Sequence, residues 1–166
     1  DTFVKGGFEA EKLNVRSNFI ETKKVYDPCY NKQDYYVYLG QMNPIKCVRT
    51  LCKTASRLPM KLIMIGGGFI LDELKEEFAG SRQIEFKGQL SWDEVRPLVE
   101  RARFLVLPSE CSENNPLSVI ESLSLGTPVL GANIGGIPEL ICSDNGEVFE
   151  SGNSQIVLNY VNTPEY

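Results

Sequence analysis

Apolar positions fall into two alternating patterns from about residue 34 onward. Short unbroken runs, rich in aromatic and β-branched residues and ending at glycine or proline, predict strands. Stripes with apolar residues three and four positions apart predict amphipathic helices. The predicted strands are 35–39, 62–65, 84–88, 104–107, 128–131 and 146–149, and the predicted helices are 48–58, 71–78, 92–102 and 116–125. Joined by right-handed crossovers, they predict an α/β fold, a parallel sheet of about six strands with helices on both faces.

The two ends of the chain carry weaker patterns. Residues 1–33 are polar, with room for a short strand within 12–20 and a proline-broken surface loop over 21–34. A last helix is expected to start within 154–162. We therefore expect one domain, with 1–33 as its start and 34–166 as its α/β body. The first residues show no Met and no basic or apolar leader, which indicates a cut inside a longer protein rather than a signal peptide.

Charge and composition exclude several classes of function. Seventeen basic and 22 acidic residues give a net charge of −5, which argues against a nucleic-acid or anionic-membrane surface. No run of about 18 apolar residues occurs, so no membrane span is predicted. The absence of histidine removes Ser-His-Asp, Cys-His and His–metal chemistry from this chain.

The five cysteines occur without a C-x-x-C spacing, at Cys29, Cys47, Cys52, Cys111 and Cys142. Their odd number and scattered positions favour buried or half-buried thiols in a reducing compartment. A disulfide or a metal role is the alternative. No D-x-D sequence occurs either, so no paired-carboxylate metal site is expected.

The strongest signal for chemistry lies in the loop after the fourth predicted strand. Ligands of parallel sheets bind at the carboxyl ends of the strands. Asn115 is expected to cap the next helix, with Pro116 as its first residue. The backbone amides of Leu117, Ser118 and Val119 would then point out of the helix start and form an anion site. One helix dipole contributes only about 0.3–1 kcal/mol when exposed, so a dianionic ligand needs a further donor or a cation.

Two carboxylates, Glu113 and Glu121, flank this predicted anion site. They would repel a phosphate unless they bind something else. Carboxylates accept hydrogen bonds from paired hydroxyls, such as those of sugars and riboses. The alternative interpretation is that Glu113 is a loop charge and Glu121 part of a solvated helix face.

The spacing of these two residues, E-x7-E, is followed in order by the segments 122–130, 135–140 and 145–149. This set resembles the carboxyl-terminal, donor-nucleotide-binding domain of a retaining GT-B glycosyltransferase of family 4, also called glycosyl transferases group 1. Earlier segments also match in order, at 15–19, 38–40 followed by Lys46, 61–68 and 88–90. The resemblance covers about residues 5–153, nearly the whole chain.

The resemblance implies one half of a GT-B fold, with 34–166 as a Rossmann-like nucleotide-sugar-binding domain and an amino-terminal acceptor domain outside this chain. It implies metal-free transfer, with retention, of a sugar from a nucleotide-diphospho-sugar to a saccharide or lipid-linked acceptor. Polysaccharide or glycoconjugate biosynthesis at a cytoplasmic location is the expected setting. Membrane contact is expected only through the missing domain, and the fragment alone is expected to transfer no sugar.

The resemblance also implies roles for matched residues. Glu121 would bind the ribose hydroxyls and Glu113 the hydroxyls of the donor sugar. The amides around Leu117 and Ser118 would hold the distal phosphate, while Lys46 would neutralise the departing diphosphate. The other expected binding residues are Asn115, Pro116, Gly40, Gln41 and Leu90, the last in the loop 88–90 that resembles the one facing the base edge.

Some positions depart from the family pattern. Gln41 stands where the family often has Arg, so half of the usual cationic clamp is missing. Arg49 lies three residues from Lys46 on the same expected helix side and could compensate, although an exposed Arg is the plainer interpretation. Cys47 stands where the family often has Gly, and Asn114-Asn115-Pro116 replaces Gly-Phe-Gly. These departures keep a second hypothesis open, a catalytically inactive nucleotide-binding scaffold of the same fold.

Three further features have competing interpretations. Gly66-Gly67-Gly68 either lets a nucleotide approach closely or simply turns the chain from strand to helix. Trp92 is expected to pack on its helix face. Glu139 is expected to brace a loop, with a contact near the phosphates as the alternative.

Overall fold

The computed structural model describes residues 2–21, 31–153, 157, 160 and 161, and a six-stranded sheet forms its centre. The strands are β1 (Tyr35–Leu39), β2 (Lys61–Ile65), β3 (Ile84–Gly88), β4 (Leu105–Leu107), β5 (Val129–Ala132) and β6 (Gly146–Phe149). Their order is β3-β2-β1-β4-β5-β6, and each pairing is parallel. The predicted α/β, Rossmann-like sheet is confirmed, with each strand within one residue of its predicted bounds.

The predicted helices connect the strands and are α2 (Val48–Ala55), α3 (Leu71–Glu77), α4 (Trp92–Arg101) and α5 (Leu117–Ser124). The helix α1 (Thr2–Lys5) precedes the sheet and was not predicted, and 3-10 turns lie at Ala10–Lys12, Pro44–Lys46 and Ile137–Glu139. With right-handed crossovers, the strand order puts α2 and α3 on one face of the sheet and α5 on the other. At the start of α4 the Ser91 amide donates to Glu94 Oε2 at 2.9 Å, so the capping box predicted there is confirmed.

The core lies on both faces of the central strands. Tyr36, Val37 and Tyr38 of β1 are almost fully buried, because β1 has strand neighbours on both sides and helices over its faces. The Tyr36 ring stacks on Phe104 with 5.0 Å between ring centroids. Leu58 is also buried, although α2 ends three residues before it, so the predicted stripe runs on past the helix.

The short strand predicted within 12–20 is wrong. Residues 13–21 have no regular structure, and the backbone of 14–21 makes no hydrogen bond with the backbone of another described residue. A segment without a neighbouring strand to pair with does not form a strand. Val15 and Phe19 are accordingly 98% and 83% exposed.

Several expectations concern residues at the ends or in loops. The loop predicted over 21–34 is described only at 21 and 31–34, and the helix predicted within 154–162 only at 157, 160 and 161, which are helical. Cys29 lies outside the described residues. The four described cysteines are free: Cys47 and Cys52 are buried, Cys111 is half-buried, and Cys142 is exposed, against expectation, in the turn before β6. Within the described ranges no helix has the length and apolar character to cross a bilayer.

Candidate functional site

A cleft of about 300 Å³ opens where β1 and β4 end. These two strands are neighbours, but their connections lead to opposite sides of the sheet, which is where parallel sheets bind ligands. We call it the α5 cleft; its walls are Tyr38, Leu39, Gly40, Gln41, Lys46, Leu107, Glu113, Pro116, Leu117, Ser118 and Glu121. The structure therefore brings together the predicted site residues except Asn115, Val119 and Leu90.

Leu90 lies in a second cleft of about 580 Å³, which we call the glycine cleft. Its walls are Leu39, Gly40, Gln41, Asn43, Ile65, Gly66, Gly67, Gly68, Phe69, Gln89, Leu90 and Val95. The two clefts share the end of β1, at Leu39, Gly40 and Gln41. One extended ligand could therefore pass from one cleft to the other over this shared wall.

Lys46 and Glu113 form an ion pair inside the α5 cleft, through Lys46 Nζ and Glu113 Oε1. Their side chains are 21% and 15% exposed, so solvent screens the pair only partly. The Ser109 hydroxyl, which is fully buried, donates to the same Oε1 at 2.7 Å. One carboxylate oxygen of Glu113 therefore accepts from an ammonium and from a hydroxyl.

The start of α5 differs from the prediction by one residue. Pro116 has an extended ψ of 123° and is itself the cap, so the helix begins at Leu117 and Asn115 makes no capping hydrogen bond. Asn115 lines neither cleft; its backbone carbonyl accepts from Asn18 Nδ2 at 2.6 Å, and its Oδ1 is buried without a partner. The residue before a proline disfavours the helical region, which explains why Asn115 stays out of the first turn.

Two backbone amides at this helix start remain free. The Val119 amide donates to the Pro116 carbonyl at 3.2 Å, so it is not part of the predicted anion site. The amides of Leu117 and Ser118 have no acceptor among the described residues, and both residues line the α5 cleft. These two donors, with the helix dipole behind them, favour an anion there.

Glu121 lies on α5 and is half-buried in the wall of the same cleft. Its carboxylate has no hydrogen-bond or ion-pair partner among the described residues, and burial raises its pKa above the ordinary carboxyl value. A half-buried carboxylate without a donor is incompletely satisfied. A ligand that offers hydroxyl donors would satisfy it.

Two glycine turns hold the walls of the clefts together. Gly66 and Gly68 have φ of +131° and +149°, and a Cβ on either would overlap the backbone of Gly40 or Met42. The glycine run thus lets the loops after β1 and β2 pack on each other, while it also lines the glycine cleft. The glycine run thus turns the chain from strand to helix, as one interpretation predicted, and close approach of a nucleotide stays a prediction.

The second glycine turn was missed as a site feature by sequence reasoning. A Cβ on Gly135 would overlap the backbone of Glu113, and one on Gly136 would overlap the Asn114 carbonyl. Gly135 also has φ of +59°. These glycines fix the loop that carries Glu113. The signal was the pair Gly135-Gly136 itself, which matched the family pattern but had no assigned role.

The alternative in which Arg49 compensates for Gln41 is wrong. Arg49 pairs with Glu73, at 2.7 Å, and with Glu77, both on α3, and it lines neither cleft. The reason is Cys47, whose φ of 55° and ψ of 23° are left-handed and separate Lys46 from the helix that carries Arg49. A residue with a side chain adopts this conformation at a cost of about 1–2 kcal/mol, which glycine avoids.

The remaining predicted residues have simple positions. Gln41 is exposed and lines both clefts, and its carbonyl accepts from the Tyr38 hydroxyl at 2.8 Å. Trp92 is 39% exposed in the first turn of α4, and Glu139 is exposed and lines neither cleft. Within the described part of the chain, no group of three or more His, Cys, Asp and Glu residues could hold a metal ion. The metal-free reaction stays a prediction.

Comparison with known proteins gives consistent matches. The family described as Glycosyl transferases group 1 matches residues 20–163. Sulfoquinovosyl transferase SQD2 of Arabidopsis thaliana is 30% identical over 139 residues, which cover 83% of this chain and 27% of that protein. The chain spans less than half the length of the curated relatives it matches.

Solved structures match in fold. A mutant of S. aureus TarM in complex with UDP, fondaparinux and α-GlcNAc-glycerol has a TM-score of 0.79 and 20% identity, over 96% of this chain and 34% of that one. Anabaena Alr3699/HepE in complex with UDP-glucose has a TM-score of 0.69 and 21% identity, over 78% of this chain and 38% of that one. At this identity the likeness establishes the fold alone.

Proposed function

This chain belongs to the glycosyl transferases group 1 family, and from that premise we propose that it binds a nucleotide-diphospho-sugar at the carboxyl edge of its sheet. The chain would supply the donor half of a sugar transfer with retention. The observation that carries the proposal is the α5 cleft, where two free amides and an unpartnered carboxylate face one space. A nucleotide sugar offers both complements, a diphosphate and a ribose diol.

In this proposal, Glu121 and the start of α5 bind different parts of the nucleotide. The Leu117 and Ser118 amides donate to the distal phosphate, and Glu121 accepts from the ribose hydroxyls. The half-buried position of Glu121 strengthens such hydrogen bonds, because less water competes for the carboxylate. The base extends over Gly40 into the glycine cleft, where Leu90 and its loop meet the base edge.

Lys46 and Glu113 act at the reacting end. Breaking the bond from the anomeric carbon leaves negative charge on the diphosphate, and a positioned ammonium lowers the energy of that state. Lys46 is the single cation among the described residues that line the α5 cleft. Glu113 accepts from the donor-sugar hydroxyls. The UDP-glucose bound by HepE and the UDP bound by TarM support a nucleotide-sugar donor.

The acceptor side of the reaction belongs to an amino-terminal domain outside this chain. We propose a saccharide or lipid-linked acceptor, a role in polysaccharide or glycoconjugate biosynthesis, and a cytoplasmic location with membrane contact only through that domain. The chain alone would bind the donor weakly and transfer no sugar. Turnover by this chain alone with a saccharide or lipid acceptor would contradict this part of the proposal.

Calorimetric titration with UDP and with GDP tests the nucleotide site. We expect weak binding of one of them and loss of that binding in Glu121→Ala. Glu147→Ala is the matched control, because Glu147 is an exposed carboxylate on β6 that lines neither cleft. Unchanged binding of UDP or GDP by Glu121→Ala would contradict the assignment of Glu121 to the ribose hydroxyls.

A second candidate function is a catalytically inactive scaffold of the same fold. The specific observation in its favour is the charge of the α5 cleft, where Gln41 is neutral, Arg49 is bound to α3, and Lys46 is paired with Glu113. Absence of UDP and GDP binding at millimolar concentration would favour a scaffold that has also lost its nucleotide site.

A further inference from the structure

The ion pair between Lys46 and Glu113 leaves the α5 cleft without a free cation side chain among the described residues that line it. The Ser109 hydroxyl holds the same oxygen of Glu113 at 2.7 Å, and Gly135 and Gly136 fix the backbone of its loop. The carboxylate is thus held beside the ammonium by the fold itself. Any anion that enters the cleft must compete with it.

We infer that Glu113 is an internal competitor for Lys46 that discriminates between the nucleotide-diphospho-sugar and the nucleoside diphosphate left after transfer. The inference rests on the proposed function and deepens it. It adds a task to Glu113 beyond contact with the sugar: the carboxylate lowers affinity for the product and so favours its release.

The argument follows from what each ligand gives to Glu113. A bound nucleotide-diphospho-sugar attracts the ammonium of Lys46 away from Glu113 but offers its sugar hydroxyls. The carboxylate therefore loses one hydrogen-bond donor and gains others. A nucleoside diphosphate takes the same ammonium, brings an additional charge on its terminal phosphate, and offers no hydroxyl in that position. The carboxylate of Glu113 then lacks its cation, is poorly solvated and lies beside the anionic phosphate. This arrangement raises the free energy of the complex.

Glu113→Gln separates these effects. The amide keeps the shape and can still accept from Ser109, but it releases Lys46 and removes the repulsion. We expect UDP or GDP, whichever the chain binds, to bind about threefold to tenfold more tightly to this variant. We expect the corresponding UDP-glucose or GDP-mannose to bind no more tightly than to the unsubstituted chain.

Glu110→Gln is the matched control, because it removes the same charge from an exposed position in the same loop. We expect its nucleotide affinity to stay within about twofold of the unsubstituted chain, since exposed charges are screened by solvent. Thermal unfolding of each variant checks that the chain remains folded.

Substitution of Lys46 tests whether competition for the ammonium is the cause. In the Lys46→Gln background, Glu113→Gln should give a smaller gain in UDP or GDP affinity, because only the repulsion remains to be removed. An equal gain in both backgrounds would overturn the competition.

The outcomes distinguish this inference from the proposed function. Equal or weaker binding of the nucleoside diphosphate by Glu113→Gln overturns the inference, while loss of binding in Glu121→Ala still supports the nucleotide site. Absence of nucleotide binding in every variant at millimolar ligand overturns both.

Discussion

Glu113 and Glu121 are the same residue type in the same cleft, yet they differ in every contact. Glu113 accepts from Lys46 and from the buried Ser109, whereas Glu121 has no partner among the described residues. The first carboxylate is therefore part of the folded framework, and the second is available to a ligand. The E-x7-E spacing thus combines Glu113, which contributes to stability, with Glu121, which the folded state does not need for its stability.

Displacing the loop that carries Glu113 should give the largest change in the free energy of unfolding. In Gly136→Ala the new Cβ would overlap the Asn114 carbonyl, so the Glu113 loop must shift. We expect the free energy of unfolding to fall by about 3 kcal/mol, measured by urea denaturation. Gly80→Ala is the control, since a Cβ there meets open space, and it should leave stability unchanged or slightly raised. Equal effects at Gly80 and Gly136 would contradict the packing argument.

Truncating the unpartnered carboxylate should affect binding and not folding. Glu121→Ala removes a charged acceptor for two hydroxyls, so we expect a loss of about 2 kcal/mol, or roughly thirtyfold in nucleotide Kd. The free energy of unfolding should change by less than about 0.5 kcal/mol, because no hydrogen bond or ion pair among the described residues is lost. Calorimetry and urea denaturation measure the two quantities. A large loss of stability in Glu121→Ala would contradict the proposed difference between Glu121 and Glu113.

Truncating the partnered carboxylate should lower stability instead. Glu113→Ala leaves the partly buried Lys46 ammonium and the buried Ser109 hydroxyl without their acceptor. We expect the free energy of unfolding to fall by about 1–2 kcal/mol. Urea denaturation of Glu113→Ala and Glu113→Gln provides the measurement, and the amide variant should recover part of the loss. No difference between either variant and the unsubstituted chain would show that the pair contributes nothing to the fold.

The smallest expected effect is a pH dependence of stability that Glu121 contributes. Burial raises its folded pKa above the ordinary value of 4.5, so the folded state binds the proton more readily than the unfolded state. Stability should therefore rise as pH falls through the raised pKa toward 4.5. Urea unfolding at a series of pH values should show this slope in the difference between the unsubstituted chain and Glu121→Gln, because partnered carboxylates such as Glu85 have a lowered pKa and contribute the opposite slope. A slope of opposite sign would indicate that the carboxylate has a stabilising partner.

The sheet and the positions of both carboxylates could be predicted from the sequence. The central strands β1, β2, β4 and β5 are buried on both faces, so their apolar runs are unbroken. The segment 12–20 is more polar and carries only scattered apolar residues; such a pattern does not reveal whether a pairing partner exists, and the strand predicted there is wrong.

The contacts within the site could not be predicted, for physical reasons. Lys46 and Glu113 lie 67 positions apart, so only the folded chain brings them together. The left-handed backbone at Cys47 has no signature in a cysteine, yet it decides that Arg49 turns toward α3. Pattern analysis places residues on elements, while the direction of each side chain depends on such local backbone choices.

Gly40, on the wall common to both clefts, has a consequence for inhibitor design. Because Gly40 has no side chain, only backbone separates the α5 cleft from the glycine cleft at this position. A Cβ here would lie 3.1 Å from Tyr38 Oη. Two weak fragments, an aromatic one in the larger space and an anionic one at the start of α5, could be joined by a short linker across Gly40. Tethering turns the second binding event into an intramolecular one, so the linked compound would exceed the affinity of either fragment.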